Sequence, residues 1–207
     1  AANVTISPQM GLFLQKQFET DSKFLVVPNA PSRLLSDRLP EKTFTESGDV
    51  FFGYVGQIAE NRHFDRLVEY WYDTDERAIL TIVAPDKQLK NEMIELEQAC
   101  RKGKQRVFFE KPVPPDEASI TRKMQEYDVG IIPYGKASCF NYAYCSPNKL
   151  GQYMASGLPV LANESYFVGS VLNDHSNGYT ANFDDPEDLA RAVNKFLDKK
   201  AVKKMSL

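Results

Sequence analysis

Short apolar runs and amphipathic stretches take turns along almost the whole chain. The apolar runs read V-F-F-G-Y-V at 50–55, I-L-T-I-V-A at 79–84, R-V-F-F at 106–109, V-G-I-I-P-Y at 129–134 and L-P-V-L-A at 158–162. They lack a strict two-residue alternation and end in glycine, proline or charge, as strands buried on both faces do. Between them, apolar residues recur at helical spacing: Phe64, Leu67, Val68 and Trp71; Ile120, Met124 and Tyr127; Leu189, Ala192, Val193, Phe196 and Leu197. Ser7, Asp116 and Asp185 stand where helix N-caps belong, and Pro186 follows the last of them as a first helical residue. Further strands are expected at 4–7, 23–28 and 178–181, and helices at 8–18, 88–102 and from 163 to 172. Residues 30–49 and 135–144 carry no period and read as loops. Such alternation predicts an α/β domain with a parallel sheet and helices on both faces.

The stretch at 145–162, C-S-P-N-K-L-G-Q-Y-M-A-S-G-L-P-V-L-A, is the most informative. Ser146 reads as an N-cap with Pro147 at the first helical position. Gly157 reads as the left-handed residue that ends the helix, and Pro159 prevents its continuation. Lys149 then falls in the first turn, beside the positive end of the helix dipole, where a cation is unfavourable unless an anion joins it. Free backbone N–H groups at that end suit a phosphate. On a helical wheel Lys149, Gln152 and Ser156 share one face, and Leu150, Met154, Gly151 and Ala155 the other. A surface lysine on a short amphipathic helix is the alternative that the helix pattern alone leaves open.

Composition narrows the possibilities. The 207 residues fit one large domain or two small ones, with 43% hydrophobic and 26% charged residues. A net charge of -3 argues against nucleic-acid binding as the main purpose. No apolar run is long enough to span a membrane. Three irregularly spaced cysteines, Cys100, Cys139 and Cys145, suit reduced thiols and a cytoplasmic setting, with a Cys139–Cys145 pair as the alternative. With only His63 and His175 besides, no zinc-ligand spacing is visible, and no metal is expected. Lys199, Lys200, Lys203 and Lys204 form either a solvated helix end or a contact with anionic lipid at the inner face of a membrane. A glycine turn at Gly53 and Gly56, between a strand and a helix, has the shape of a phosphate-binding turn but lacks G-x-G-x-x-G and a P-loop lysine.

The segment S-P-N-K-L-G-Q-Y-M-A-S-G-L-P-V at 146–160 resembles the nucleotide-sugar-binding motif of GT-B glycosyltransferases of the group 1, or family 4, type. The strings Y-V-G-Q-I-A-E at 54–60 and D-V-G-I-I-P at 128–133 match the same family, as do I-S-P-Q-M-G-L-F-L-Q-K-Q-F and F-L-V-V-P-N near the start. The resemblance implies a Rossmann-like domain, the C-terminal half of a GT-B fold. Residues 1–22 would be a crossover strand and helix from an N-terminal domain missing here, and 23–207 the donor-binding domain. It further implies sugar transfer from a UDP- or GDP-type donor to a glycan or lipid-linked acceptor, with retention, in surface polysaccharide synthesis and without a cofactor or metal. Lys149 and Arg62 would face the leaving diphosphate. Gly56, Gln57, Ser146, Asn148, Gln152, Tyr144, Glu164 and Ser165 would contact the donor. The chain departs from the family at Gln57, where an arginine is usual, and at Tyr144 and Gln152, where acidic residues are usual. Those losses favour a second reading, a non-catalytic nucleotide- or sugar-binding module. Asn141 and Tyr142 are further candidates for a sugar or base pocket, and His63 is either a general base or a plain loop residue. A GT-B sugar epimerase would need its own acid and base carboxylates near the sugar, and no convincing set is visible.

Overall fold

The structure, a computed structural model, describes residues 3–32, 41–44, 48–59, 62–85, 87–136 and 139–206, leaving aside the side chains at 87–89. Of the loop expected at 30–49, residues 33–40 and 45–47 lie outside the described residues. The chain opens with β1 (Asn3–Thr5), α1 (Pro8–Gln17) and β2 (Phe24–Val26), the two strands pairing in parallel. Then follow β3 (Val50–Val55), α2 (Phe64–Trp71), β4 (Ala78–Val83), α3 (Lys87–Cys100), β5 (Val107–Glu110), α4 (Glu117–Met124) and β6 (Val129–Ile132). The last part runs α5 (Phe140–Tyr144), α6 (Asn148–Ala155), β7 (Val160–Asn163), α7 (Tyr166–His175), β8 (Gly178–Ala181), α8 (Pro186–Asn194) and α9 (Lys199–Met205).

Strands β3 to β8 form one sheet in the order β5-β4-β3-β6-β7-β8, with every pairing parallel. The chain builds outward from β3 to β5, then returns to lay β6 on the other side of β3. At such a reversal the connections leave neighbouring strands in opposite directions, and a crevice opens at the strands' C-terminal ends. Alternate residues of β3 divide between two cores. Val50, Phe52 and Tyr54 join Phe64, Leu67, Val68 and Trp71 of α2 and Leu189, Ala192 and Val193 of α8. Val55 joins Met124 of α4, Leu150 and Tyr153 of α6, and Phe167, Val168 and Leu172 of α7. Both faces are thus covered, as parallel strands require.

The caps at Ser7, Asp116 and Asp185 form as the sequence predicts. Ser7 accepts from Met10 N, Asp116 from Ser119 N, and Asp185 from the N–H groups of Glu187 and Asp188. The helix at 145–157 starts later than expected. Pro147 is extended, with ψ 139°, and occupies the N-cap itself, so Asn148 is the first helical residue. Ser146 is sequestered rather than capping, and its carbonyl accepts from Asn29 Nδ2 at 2.7 Å. The helix is also turned relative to the expected wheel. Its inward face runs through Leu150 and the fully buried Tyr153, and Ser156 is buried with them. Gly157, at φ 69°, ends the helix in the left-handed region as anticipated.

The loop expected at 135–144 contains α5. This five-residue helix owes its existence to packing, because Phe140 and Tyr144 sit against Phe13 of α1 at centroid distances of 4.2 and 5.4 Å. All three cysteines are free thiols. Of the C-terminal lysines, Lys199 at the start of α9 reaches Asp128 at 3.8 Å, while Lys203 and Lys204 occupy the last turn.

Helix α6 is held by one tyrosine. The Tyr153 hydroxyl lies 3.2 Å from Gly53 O on β3 and 3.0 Å from Ile131 O on β6. Its ring fills the space above Gly130, where an added Cβ would come within 2.5–2.7 Å of the ring carbons. Gly130→Ala is therefore expected to destabilise the domain by roughly 1–3 kcal/mol through overpacking, read from the urea midpoint. It should also shift α6.

Candidate active site at the sheet reversal

The crevice between β3 and β6 collects two cations. After β3, the chain turns at Gly56, whose N–H still bonds Val83 O at 2.9 Å and whose φ is 153°. A side chain there would run into Lys149, with Cε 2.9 Å from an ideal Cβ. Lys149 Nζ donates to Val55 O at 2.5 Å and lies 4.8 Å from the centre of the Tyr54 ring. The glycine is thus what lets the ammonium rest on the backbone of the turn.

Arg62 comes from the other end of the same turn. Its Nη1 donates to Gln57 O at 2.8 Å and to the Tyr54 hydroxyl at 3.2 Å, and its Nε donates to the Tyr142 hydroxyl at 3.1 Å. The Tyr54 hydroxyl in turn donates to Gln57 O at 2.7 Å. The guanidinium also lies 5.0 Å from the Tyr134 ring centre and 5.7 Å from that of Tyr142. Among the described residues, no carboxylate pairs with Lys149 or Arg62. Burial first, and then the charge of Arg62, push Lys149 down to about 8 from its ordinary 10.5. Burial likewise raises the Tyr54 phenol to about 12, so it stays a neutral hydroxyl.

The other sequence candidates divide among neighbouring places. Gln57 contributes its carbonyl to the cation turn, while its side chain is exposed. Asn148 and Gln152, on α6, line a cleft of about 340 Å³ with α4. Tyr144 joins an aromatic cluster with Phe13, Phe140 and Tyr166 and lines a cleft of about 650 Å³ against α1. Glu164 pairs with Lys136 at 2.7 Å. The Ser165 hydroxyl donates to Ala143 O at 3.2 Å, tying α7 to α5. Asn141 is exposed on α5. His63 has a left-handed backbone, φ 53°, and its Nδ1 lies 3.1 Å from Asp184 Oδ1.

Sequence reasoning passed over Tyr54, Tyr134 and Asn163. The tyrosines lie in apolar runs and read only as core. Asn163 Nδ2 donates to Pro133 O, and its Oδ1 accepts from Glu164 N and Phe183 N, joining the ends of β6, β7 and β8. A buried asparagine closing an apolar strand was the available signal. Among the described residues, no group of three or more His, Cys, Asp or Glu side chains could hold a metal, and no helix is long and apolar enough to cross a membrane.

The family profile for glycosyl transferases group 1 matches residues 49–199, well over half of the chain. The chain belongs to that family. Curated protein sequences give no match. Solved structures of similar fold include the sucrose-phosphate synthase of Thermosynechococcus elongatus, with TM-score 0.74 at 17% identity, covering 98% of this chain and 50% of that one. HepE of Anabaena, solved with UDP and glucose, gives TM-score 0.66 at 15% identity over 99% of this chain and 55% of that one. The C-terminal domain of the group 1 protein LpcC of Francisella tularensis gives 0.57 at 17% identity, over 86% and 89%. This group 1 chain therefore spans about half the length of the first two.

The buried Lys149 ammonium is costly to the protein without a ligand, which gives a direct test. Between about pH 8 and 10.5 the unfolded chain binds the Lys149 proton that the folded chain has released. Stability of the unliganded protein should therefore rise with pH across that window. Lys149→Met should raise the urea midpoint at pH 7 by an amount worth about 1–3 kcal/mol and remove this lysine's part of the rise. A variant less stable than wild type at pH 7 would contradict it.

Proposed function

We propose that this chain is the donor-binding domain of a glycosyltransferase. It binds a nucleotide-diphosphate sugar of UDP or GDP type, and the whole enzyme transfers the sugar to a glycan or lipid-linked acceptor with retention of configuration. The observation that carries the reading is the pairing of Lys149 with Arg62 at the sheet reversal, held by carbonyls, hydroxyls and rings with no carboxylate among the described residues. A desolvated Lys149 beside the charge of Arg62, with no anion among the described residues, is poorly satisfied alone, and a diphosphate would suit both cations.

The same placement suits the chemistry. As the glycosidic bond breaks, negative charge accumulates on the departing diphosphate, and fixed cations aimed at it lower the barrier. Lys149 takes the first role and Arg62 the second. Gly56 lets phosphate oxygens approach the backbone. Gln152 and Asn148 reach the nucleoside from the same helix. HepE, whose structure contains UDP and glucose, supports a donor of this class. The open face of the β1–β2 pair supports a further domain upstream, since Val4 and Leu25 are 59% and 61% exposed on strands of a type normally buried. The acceptor and any catalytic group beside it would belong to that domain. Such a protein would work in the cytoplasm, with the C-terminal lysines near an anionic membrane face.

A second reading, a binding module without catalysis, is favoured by Tyr144 and Gln152, which supply no carboxylate beside the sugar. Calorimetric titration with UDP, GDP and their sugars separates the two. The transferase reading expects binding that depends on the diphosphate, with Lys149→Ala and Arg62→Ala each weakening it about tenfold or more. Free sugar bound as tightly as its nucleotide form, and unaffected by Lys149→Ala, would establish the module. Rapid sugar transfer by these residues alone would contradict the assignment to a donor domain.

A further inference from the structure

The turn that delivers Arg62 ends on a residue in an unusual conformation. His63 is left-handed, at φ 53° and ψ 33°, and it is the residue from which α2 starts. Among the described residues, two other non-glycine residues have a positive φ, Glu19 and Ser176. Both follow the end of a helix, α1 and α7 respectively, where a left-handed residue is ordinary. The residue before a helix is ordinarily extended, and its side chain usually accepts from the first turn. His63 does neither. Holding a residue with a Cβ in that region costs free energy, so neighbouring contacts have to fix it. The backbone supplies two of them: Arg62 N donates to Ala59 O at 3.0 Å, and Leu67 N donates to His63 O at 3.0 Å.

The side chain supplies a third, from a distant part of the chain. His63 Nδ1 lies 3.1 Å from Asp184 Oδ1, on the loop between β8 and α8. A carboxylate only accepts, so the imidazole Nδ1–H is the donor. The loop is itself fixed: Asp184 N donates to Asn182 Oδ1 at 3.1 Å, and the next residue, Asp185, caps α8. Because β3 and β8 belong to one parallel sheet, the turn and the loop both stand at its C-terminal edge. The imidazole thus ties the cation turn to a second loop at that edge. One peptide away, Arg62 sends its guanidinium to Gln57 O, Tyr54 and Tyr142. A carboxylate bonded to the neighbour of Arg62 opposes an incoming anion by Coulomb repulsion. Its charge and its anchoring therefore act on anion binding in opposite directions.

We infer that His63 is a positioning residue for diphosphate binding: its bond to Asp184 holds the left-handed turn that presets Arg62. The inference rests on the donor-binding reading, and the experiment keeps the two apart. Affinities of UDP and GDP are measured by calorimetry for wild type, Asp184→Asn, Asp184→Ala and His63→Gly, each with Arg62 present and with Arg62→Ala. Asp184→Asn keeps an acceptor for the imidazole and removes the repelling charge, so it should bind as tightly as wild type or tighter. Asp184→Ala removes both and should bind about three- to tenfold more weakly than Asp184→Asn, the worth of one hydrogen bond. His63→Gly takes the left-handed turn without strain but loses the anchor. It should weaken binding at least as much as Asp184→Ala. With Arg62→Ala the difference between Asp184→Asn and Asp184→Ala should vanish, because no guanidinium remains to be placed. A difference that survives there, or is absent with Arg62 in place, overturns the positioning role while donor binding stands. So does His63→Gly binding as tightly as wild type. No binding of either diphosphate to wild type overturns both readings. A thermal midpoint for each variant, taken without ligand, excludes unfolding as the cause of a loss.

Discussion

An ammonium group lying on the backbone of a glycine turn is the constraint around which this domain is arranged. Lys149 can reach Val55 O because Gly56 has no side chain, and it can stay there because the Tyr54 ring lies under it. That position requires α6 to sit at a fixed height above β3 and β6. Tyr153 sets the height, with its hydroxyl between two strand carbonyls and its ring over Gly130. The same strands end at the crevice where Arg62 arrives from the other side. Sheet order, helix seat and charge placement are thus one geometric problem with one solution.

The tyrosines make the charge tolerable. Among the described residues, carbonyls, hydroxyls and ring faces surround Lys149 and Arg62 in place of carboxylates. Such partners compensate a buried charge less than an ion pair would. Tyr54 is such a partner twice, offering its ring to Lys149 and its oxygen to Arg62. Tyr142 adds a second hydroxyl from α5.

Much of the fold was legible because it is written in short-range rules. Strands at 50–55 and 129–132, the stripe Phe64–Leu67–Val68–Trp71 and the caps at Ser7, Asp116 and Asp185 each follow from local pattern. Of the candidate site, the sequence singled out Lys149 from a helix start and Gly56 from a glycine turn, and the structure brings the two together. Long-range packing accounts for the rest. Nothing local shows that Phe140 and Tyr144 find Phe13, and so nothing local announces α5. Nothing local tells Ser146 from a cap, since its fate depends on Asn29. The expected wheel for α6 put Leu150 and Met154 on the packed face, and both pack there, Met154 partly buried, but it passed over Tyr153. The sheet accepted Tyr153 because a hydroxyl could reach two carbonyls.

Two hydrogen bonds from the opening β1–α1–β2 unit grip the segment that leads into α6. Ser7 Oγ donates to Tyr144 O at 2.5 Å, and Asn29 Nδ2 donates to Ser146 O at 2.7 Å. One grip comes from before α1 and the other from just after β2, and only Cys145 lies between the two carbonyls they hold. Any swing of that unit relative to the large sheet must therefore pull on the leash of the lysine helix. Mechanical load applied at the front of the polypeptide is delivered, two residues from its last handhold, to the first turn that carries the ammonium.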